Sequence, residues 1–225
     1  MNAGFSAPVS YWGSIAGLTP KSSSDGKTSQ MAEAANEYGD TAAHDEYGEL
    51  LAPSTEYVVT GVVDLSAFAL GSIGTWNTHK IMLTQVQVNT QAGQPPTVTF
   101  SGVEVDSCAT KKRYYPMSGM VSLRSKAQDI VGAFTASAAF TQINTTFSVD
   151  PHVQTVAGAP VAADCSHGRV EVQATMTDPT GAATITAASG SGYAITAATA
   201  ESNPDAGYQT KTATATKFIA GSETT

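Results

Sequence analysis

Residues 80–105 read KIMLTQVQVNTQAGQPPTVTFSGVEV, two runs of alternating side chains joined by a connector of turn residues. In the first run Ile81 and Leu83 oppose Met82 and Thr84, and Val86 and Val88 then oppose Gln85 and Gln87. In the second, Val98 and Phe100 are followed out of phase by Val103 and Val105, which predicts a bulge at Gly102. Successive side chains of a strand point to opposite faces, so this period commits the segment to an antiparallel hairpin with one apolar and one polar face. Such a hairpin needs further strands and a covering layer to be stable.

The rest of the chain supplies them. EYVVTGVV, bounded by Pro53 and Asp64, is short and β-branched. KKRYYPMSGMVSLRS reads as a strand pair or a bent strand interrupted at Pro116. TQINTTFSVD, GRVEVQATMT, AATITAAS, GYAITAATA and YQTKTATATKFI are bounded by turn groups such as DPTG, SGSG and NPDAG. One helix is expected, over residues 125–135. Leu123, Ala127, Ile130, Val131 and Phe134 keep helical spacing, and Ser125 with Gln128 forms a capping box. Gly132 weakens that helix by about 1 kcal/mol relative to alanine. The predicted fold class is all-β, mainly antiparallel: a β-sandwich or incomplete barrel with one short flanking helix. Charged residues are only 13% of the 225, with Ala, Thr, Ser, Gly and Val in their place, a composition of strands and turns.

Residues 1–29 read as an extended N-terminal arm ahead of a single β-rich domain over 30–225. The segment TPKSSSDGKTS is expected to be a loop, and Tyr11, Trp12 and Ile15 are expected to dock the arm on its own domain or on a neighbour. No basic, apolar leader pattern occurs at the N-terminus, and no run approaches the ~18 apolar residues of a membrane span, so a protein soluble in the cytoplasm where it is made is expected. Cys108 and Cys165 are expected as free thiols in that compartment.

The acids are unevenly spread. Glu33, Glu37, Asp40, Asp45, Glu46, Glu49 and Glu56 are seven of 19, and no Lys or Arg occurs from residue 28 to 79. A calcium loop needs alternating oxygen ligands with a distal glutamate, and that spacing is absent. A Glu37/His44/Glu49 transition-metal site has nothing to fix its geometry, so solvated surface charge is the better expectation. EYG followed by an acid occurs twice. NEYGD is expected to be a hairpin turn with Gly39 at positive φ, and DEYGE the end of the returning strand.

Catalytic patterns are missing. DCSHG places Cys165, Ser166 and His167 together, but nucleophile and base normally come from separated segments, so a turn between strands is expected there. His44, His79, His152 and His167 lack zinc spacing, and no phosphate-binding glycine loop occurs. A non-enzymatic chain without cofactor is expected. Lys111, Lys112, Arg113, Arg124 and Lys126 are five of the eleven basic residues, interleaved with Tyr114 and Tyr115. A net charge of −8 argues against nucleic-acid binding by this patch. Segregated acidic and basic surfaces favour head-to-tail association of copies.

With NEYGDTAAHDEYGE followed by LAPSTEYVVTGVV, a strand hairpin and TKKRYYPMSGMVSLRS, the chain resembles phage tail tube proteins and related virion structural proteins. The resemblance covers about half of the chain. It implies a small β-sandwich or incomplete barrel whose six-fold rings stack into a tube, with arms and loops bridging rings and an acidic lumen that passes DNA. It implies a virion protein made in the host bacterial cytoplasm, with itself and other virion proteins as partners and no sequence-specific nucleic acid. Glu37, Asp40, Asp45, Glu46, Glu49, Lys111, Lys112, Arg113, Arg124 and Lys126 are the expected subunit-interface or lumen residues. The alternative is a virion β-module, a capsid decoration, baseplate or receptor-binding protein, that uses aromatics such as Trp12, Trp76, Tyr114 and Tyr115 to hold a glycan or a surface protein. For Trp76 in GTWNTH, a core or hairpin-end position is the stronger expectation.

Overall fold

The structure, a computed structural model, describes residues 12–35, 41–76, 79–105, 113–124, 132–136, 140–156, 159–203 and 207–223. In chain order the strands are β1 (Leu18–Ala35), β2 (Thr41–Val59), β3 (Val63–Asp64), β4 (Ala69–Leu70), β5 (Ile73–Trp76), β6 (His79–Gln91), β7 (Thr97–Glu104) and β8 (Arg113–Pro116). They continue with β9 (Met120–Val121), β10 (Phe134–Ala136), β11 (Phe140–Val156), β12 (Ala159–Asp178), β13 (Ile185–Ala187), β14 (Ala194–Asn203), β15 (Tyr208–Phe218) and β16 (Ser222–Glu223). The fold is all-β and antiparallel.

One large sheet runs in the order β1-β2-β7-β6-β11-β12-β15-β14, with β5 added beside β6, and it does not close into a barrel. Small sheets β16-β8-β4, β3-β9 and β10-β13 complete a sandwich-like arrangement. Backbone bonds stitch the layers together: Gly71 N–H donates to Leu83 O at 2.7 Å, and Ile219 N–H to Gly168 O at 2.7 Å.

The alternation read from residues 80–105 sets the core. Val86 and Val88 of β6, Val98 and Phe100 of β7, and Phe147 of β11 are buried, as are Leu65, Leu70, Val121 and Phe134 from outside the large sheet. Phe100 is the aromatic hub. Tyr57 meets it edge-on at 5.6 Å between ring centres, Phe68 lies at 5.2 Å and Trp12 at 6.2 Å. The N-terminal segment therefore docks on its own domain through Trp12 and Ile15, which pack against the core. Gly102 is where that docking needs a glycine, because a Cβ there would lie 2.9 Å from the Trp12 ring and 2.6 Å from Ile81.

Several local expectations are corrected. The bulge is present, but its extra residue is Thr84 on β6, opposite Ser101 and Gly102, since Leu83 pairs with Gly102 and Gln85 with Ser101. The extra residue moves the buried set from Leu83 to Val86, which is the phase change seen in the sequence. TPKSSSDGKTS is no loop: β1 runs through it and across position 29, paired with β2 from Leu18↔Val59 to Ala35↔Thr41. Pairing with a neighbour overrides the low strand preference of Ser, Asp and Gly. DEYGE lies near the start of β2, not at a strand's end, and β2 continues through LAPSTEYVV as one element. The turn expected at NEYGD lies outside the described residues. Most of the expected helix, residues 125–131, also lies outside them, and Phe134 and Thr135 at its far end belong to β10. Among the described residues the helical segment is a 3-10 turn, Leu65–Ala67, capped by Asp64 accepting from Ser66 N–H at 2.9 Å.

Candidate assembly surfaces

The two outer strands of the large sheet are long. β1 has 18 residues and β14 has 10. β14 differs from every other long strand because Ala194 through Ser202 are exposed on both faces. Its sequence, AITAATAES, has one charge and no proline before Pro204. An open edge presents a row of backbone N–H and C=O groups, and edges are usually blunted by lysine, proline or a covering loop. Among the described residues β14 carries no lysine, proline or covering loop, only a bulge between Ile195 and Ala197, and Ile195 is 40% exposed.

Two hairpins also outrun the sheet. β2 pairs with β7 only over Ser54–Val58, so from residue 53 towards the turn the β1–β2 ribbon pairs only with itself. β11 pairs with β6 only over Gln142–Ser148, while its pairing with β12 continues to Val156↔Ala159.

Of the expected interface residues, Glu37, Asp40, Lys111, Lys112 and Lys126 lie outside the described residues. Asp45, Glu46 and Glu49 sit on the β1–β2 ribbon at register positions opposite Ala32, Met31 and Ser29. Arg113 is exposed on β8 and pairs with Glu223 at 3.2 Å, which joins β8 to the C-terminal β16. Arg124 is exposed in the turn after β9. Arg113 thus has a partner in the C-terminal strand.

DCSHG is not a turn but the interior of β12, where His167 and Gly168 together face Val149 in a bulge and His167 takes φ 53°. The bulge gathers a polar cluster from both strands. His152 Nε2 lies 2.7 Å from Ser166 Oγ, His167 Nδ1 lies 2.9 Å from the same oxygen and 3.2 Å from Asp150, and Arg169 lies 3.4 Å from Asp150. A hydrolytic relay needs the two ring nitrogens of one histidine to face base-orienting acid and nucleophile separately. Here one nitrogen of His167 faces both Ser166 and Asp150, and the cluster lies at the bulge where the β11–β12 ribbon leaves the sheet. Sequence reasoning missed it because Asp150 and His152 are brought in by strand register. Beside it Cys165 is a buried free thiol whose Sγ donates to Arg113 O at 3.2 Å. Burial, with the Asp164 charge, pushes its pKa up to about 11.

At the other end of β12, Asp178 and Lys211 form a buried ion pair at 2.7 Å. The ammonium also donates to Gly181 O at 2.9 Å and Ala183 O at 2.5 Å. The carboxylate accepts from Thr180 and from Ala183 N–H. The Lys211 bond above all, then those backbone and hydroxyl donors, hold the Asp178 carboxyl well below the usual carboxylate range.

The outer face of the large sheet is the polar face of the same alternations. Asn89 and Asn144 stand opposite one another across β6 and β11, and Gln87 opposite Thr146. Two clefts open on this face. One, of about 350 Å³, is lined in part by Asn89, Gln91 and Thr97, and the other, of about 380 Å³, by Gln85, Thr146 and Ser148.

Among the described residues no group of His, Cys, Asp and Glu has the geometry to hold a metal ion, and no helix is long and apolar enough to cross a membrane. No protein-family model and no curated protein matches the chain.

Proposed function

We propose that this chain is a non-enzymatic structural subunit of a phage virion, a tail tube protein, whose copies join edge to edge into rings that stack. The observation that carries the reading is β14, a ten-residue strand exposed on both faces at one end of a sheet whose other end is the long strand β1. Two different open edges on one sheet fit a heterologous contact, in which β14 of one copy extends the sheet of the next, and such contacts close into rings when the rotation allows. The β1–β2 and β11–β12 ribbons supply the reach to bridge neighbouring rings. The acids carried on the β1–β2 ribbon, with the net charge of −8, would keep a duplex from adhering as it passes.

The test is native mass in solution together with negative-stain images over a range of concentration and salt. Rings or tubes are expected from the unmodified protein. Ala197→Lys combined with Thr199→Lys, which places charges on the open strand, is expected to leave circular dichroism unchanged and the protein monomeric. A compact monomer of the unmodified chain at every concentration would sink the reading.

A further inference from the structure

We infer that the strand of the next copy that receives β14 is β1, paired antiparallel so that Glu201 of one copy meets Ser22 and Lys21 of the other. This rests on the assembly reading above and adds to it the strand, its direction and its register. Seven successive pairings lead across the sheet from β1 to β14, and every one is antiparallel. An odd number of reversals leaves β1 and β14 running in opposite directions. Copies that share one orientation around a ring therefore bring β14 antiparallel to the neighbouring β1. An even number of reversals would force a parallel contact, which is less stable per residue.

Register and charge select the segment. Thr19 and Ala197 are the two ends of one row of paired residues that crosses the whole sheet. A neighbour at the same height would set Ala197 on Thr19, with Pro20 inside a short overlap and the rest of β14 running past the start of β1. Proline has no N–H to give such a ladder. Sliding Ala197 to Gly26, about 24 Å along β1, moves Pro20 to the end of the contact. Ser22–Gly26 then faces Ala197–Glu201, two stretches of mostly small and exposed residues. Glu201 is the one charge on β14 and stands on the outer face with Thr210. Lys21 and Ser22 bond Glu56 on that same face, at 3.0 Å and 3.3 Å. In this register Glu201 approaches them from the open side, and the Lys21 side chain, 54% exposed, has room for a second carboxylate. Another β14 would offer Glu201 no cation, which selects β1 over a β14–β14 contact. The slide also supplies the stagger that a sheet needs to continue round a closed ring.

The experiment is oxidative cross-linking of the assembled full chain carrying Ser24→Cys and Thr199→Cys in a Cys108→Ser background, with negative-stain images of the reduced sample. Directly opposed residues of an antiparallel pair lie about 4.5–5.5 Å apart, within reach of a disulfide. A ladder of cross-linked copies is expected on a non-reducing gel, and none from either single variant or from Thr19→Cys with Ala197→Cys. Glu201→Arg supplies a measurement that needs no cysteine. It is expected to raise the protein concentration needed for rings at least tenfold, whereas Glu171→Arg, at an exposed acid elsewhere on the outer face, is expected to leave it unchanged. Rings that cross-link through Thr199→Cys alone, through Thr19→Cys with Ala197→Cys, or not at all would overturn the proposal and leave edge-to-edge assembly standing. Absence of rings from the unmodified protein would overturn both.

Discussion

Tyr115 of β8 lies with its ring against two glycine backbones. A Cβ on Gly168 would lie 2.1 Å from that ring, and one on Gly221 would lie 2.9 Å from its edge. The contact fastens the small β16-β8-β4 sheet to β12, so these two glycines are required by close approach. Gly168→Ala is expected to destabilise the protein by about 1–3 kcal/mol in urea denaturation, the usual cost of overpacking. A compensating Tyr115→Leu in the same molecule should recover part of the loss. Cys165 makes the second prediction at this scale. With its pKa up at about 11, the thiol stays protonated at pH 8, and burial denies access to reagents. A disulfide-exchange reagent is expected to leave it unmodified in the native protein and to label it on unfolding. Rapid labelling of Cys165 under native conditions, located by peptide mass mapping, would contradict its placement.

The strands themselves were largely legible. β6, β7, β11, β12 and β15 each contain an alternating segment, whereas β14 is announced only by the turn groups that bound it. What misled was composition taken without partners: a serine-rich, glycine-containing segment reads as loop, yet becomes β1 because β2 pairs with it residue by residue. The bulge at DCSHG was hidden for a related reason, since only register with β11 shows that two residues face one. The inward faces of the long strands dominate stability. Phe147→Ala on β11, which removes a ring that is 2% exposed, is expected to cost about 3–5 kcal/mol. The Asp178–Lys211 pair joins β12 to β15 and makes a pH prediction. The carboxyl's pKa is lowered by folding, so the pair's contribution is complete above the unfolded carboxylate range and is lost as pH falls through the folded value. Lys211→Met is therefore expected to lower the melting temperature, with the deficit largest above pH 5 and shrinking towards pH 2. A deficit independent of pH would show that the lysine acts only through its stem.

At the scale of the molecule the large sheet ends in two unlike strands, β1 and β14, and has two unlike faces. If copies join through β14, lysines on that strand are expected to abolish rings while leaving the melting temperature unchanged, because its side chains are exposed on both faces. Sedimentation paired with thermal denaturation of that variant checks this. A large fall in melting temperature would mean that β14 belongs to the packed core and is not an open edge.

The sequence by itself determined the fold class and the two-faced character of the sheet, because side-chain direction alternates with chain position and needs no partner to be read. It also determined that one face would be rich in amides and hydroxyls. Only the tertiary structure decided which strand became the open edge, which asparagines stand opposite one another, and which scattered histidines, serine and aspartate meet at the β12 bulge. Those outcomes depend on strand order and register, which arise from contacts between segments far apart in the chain.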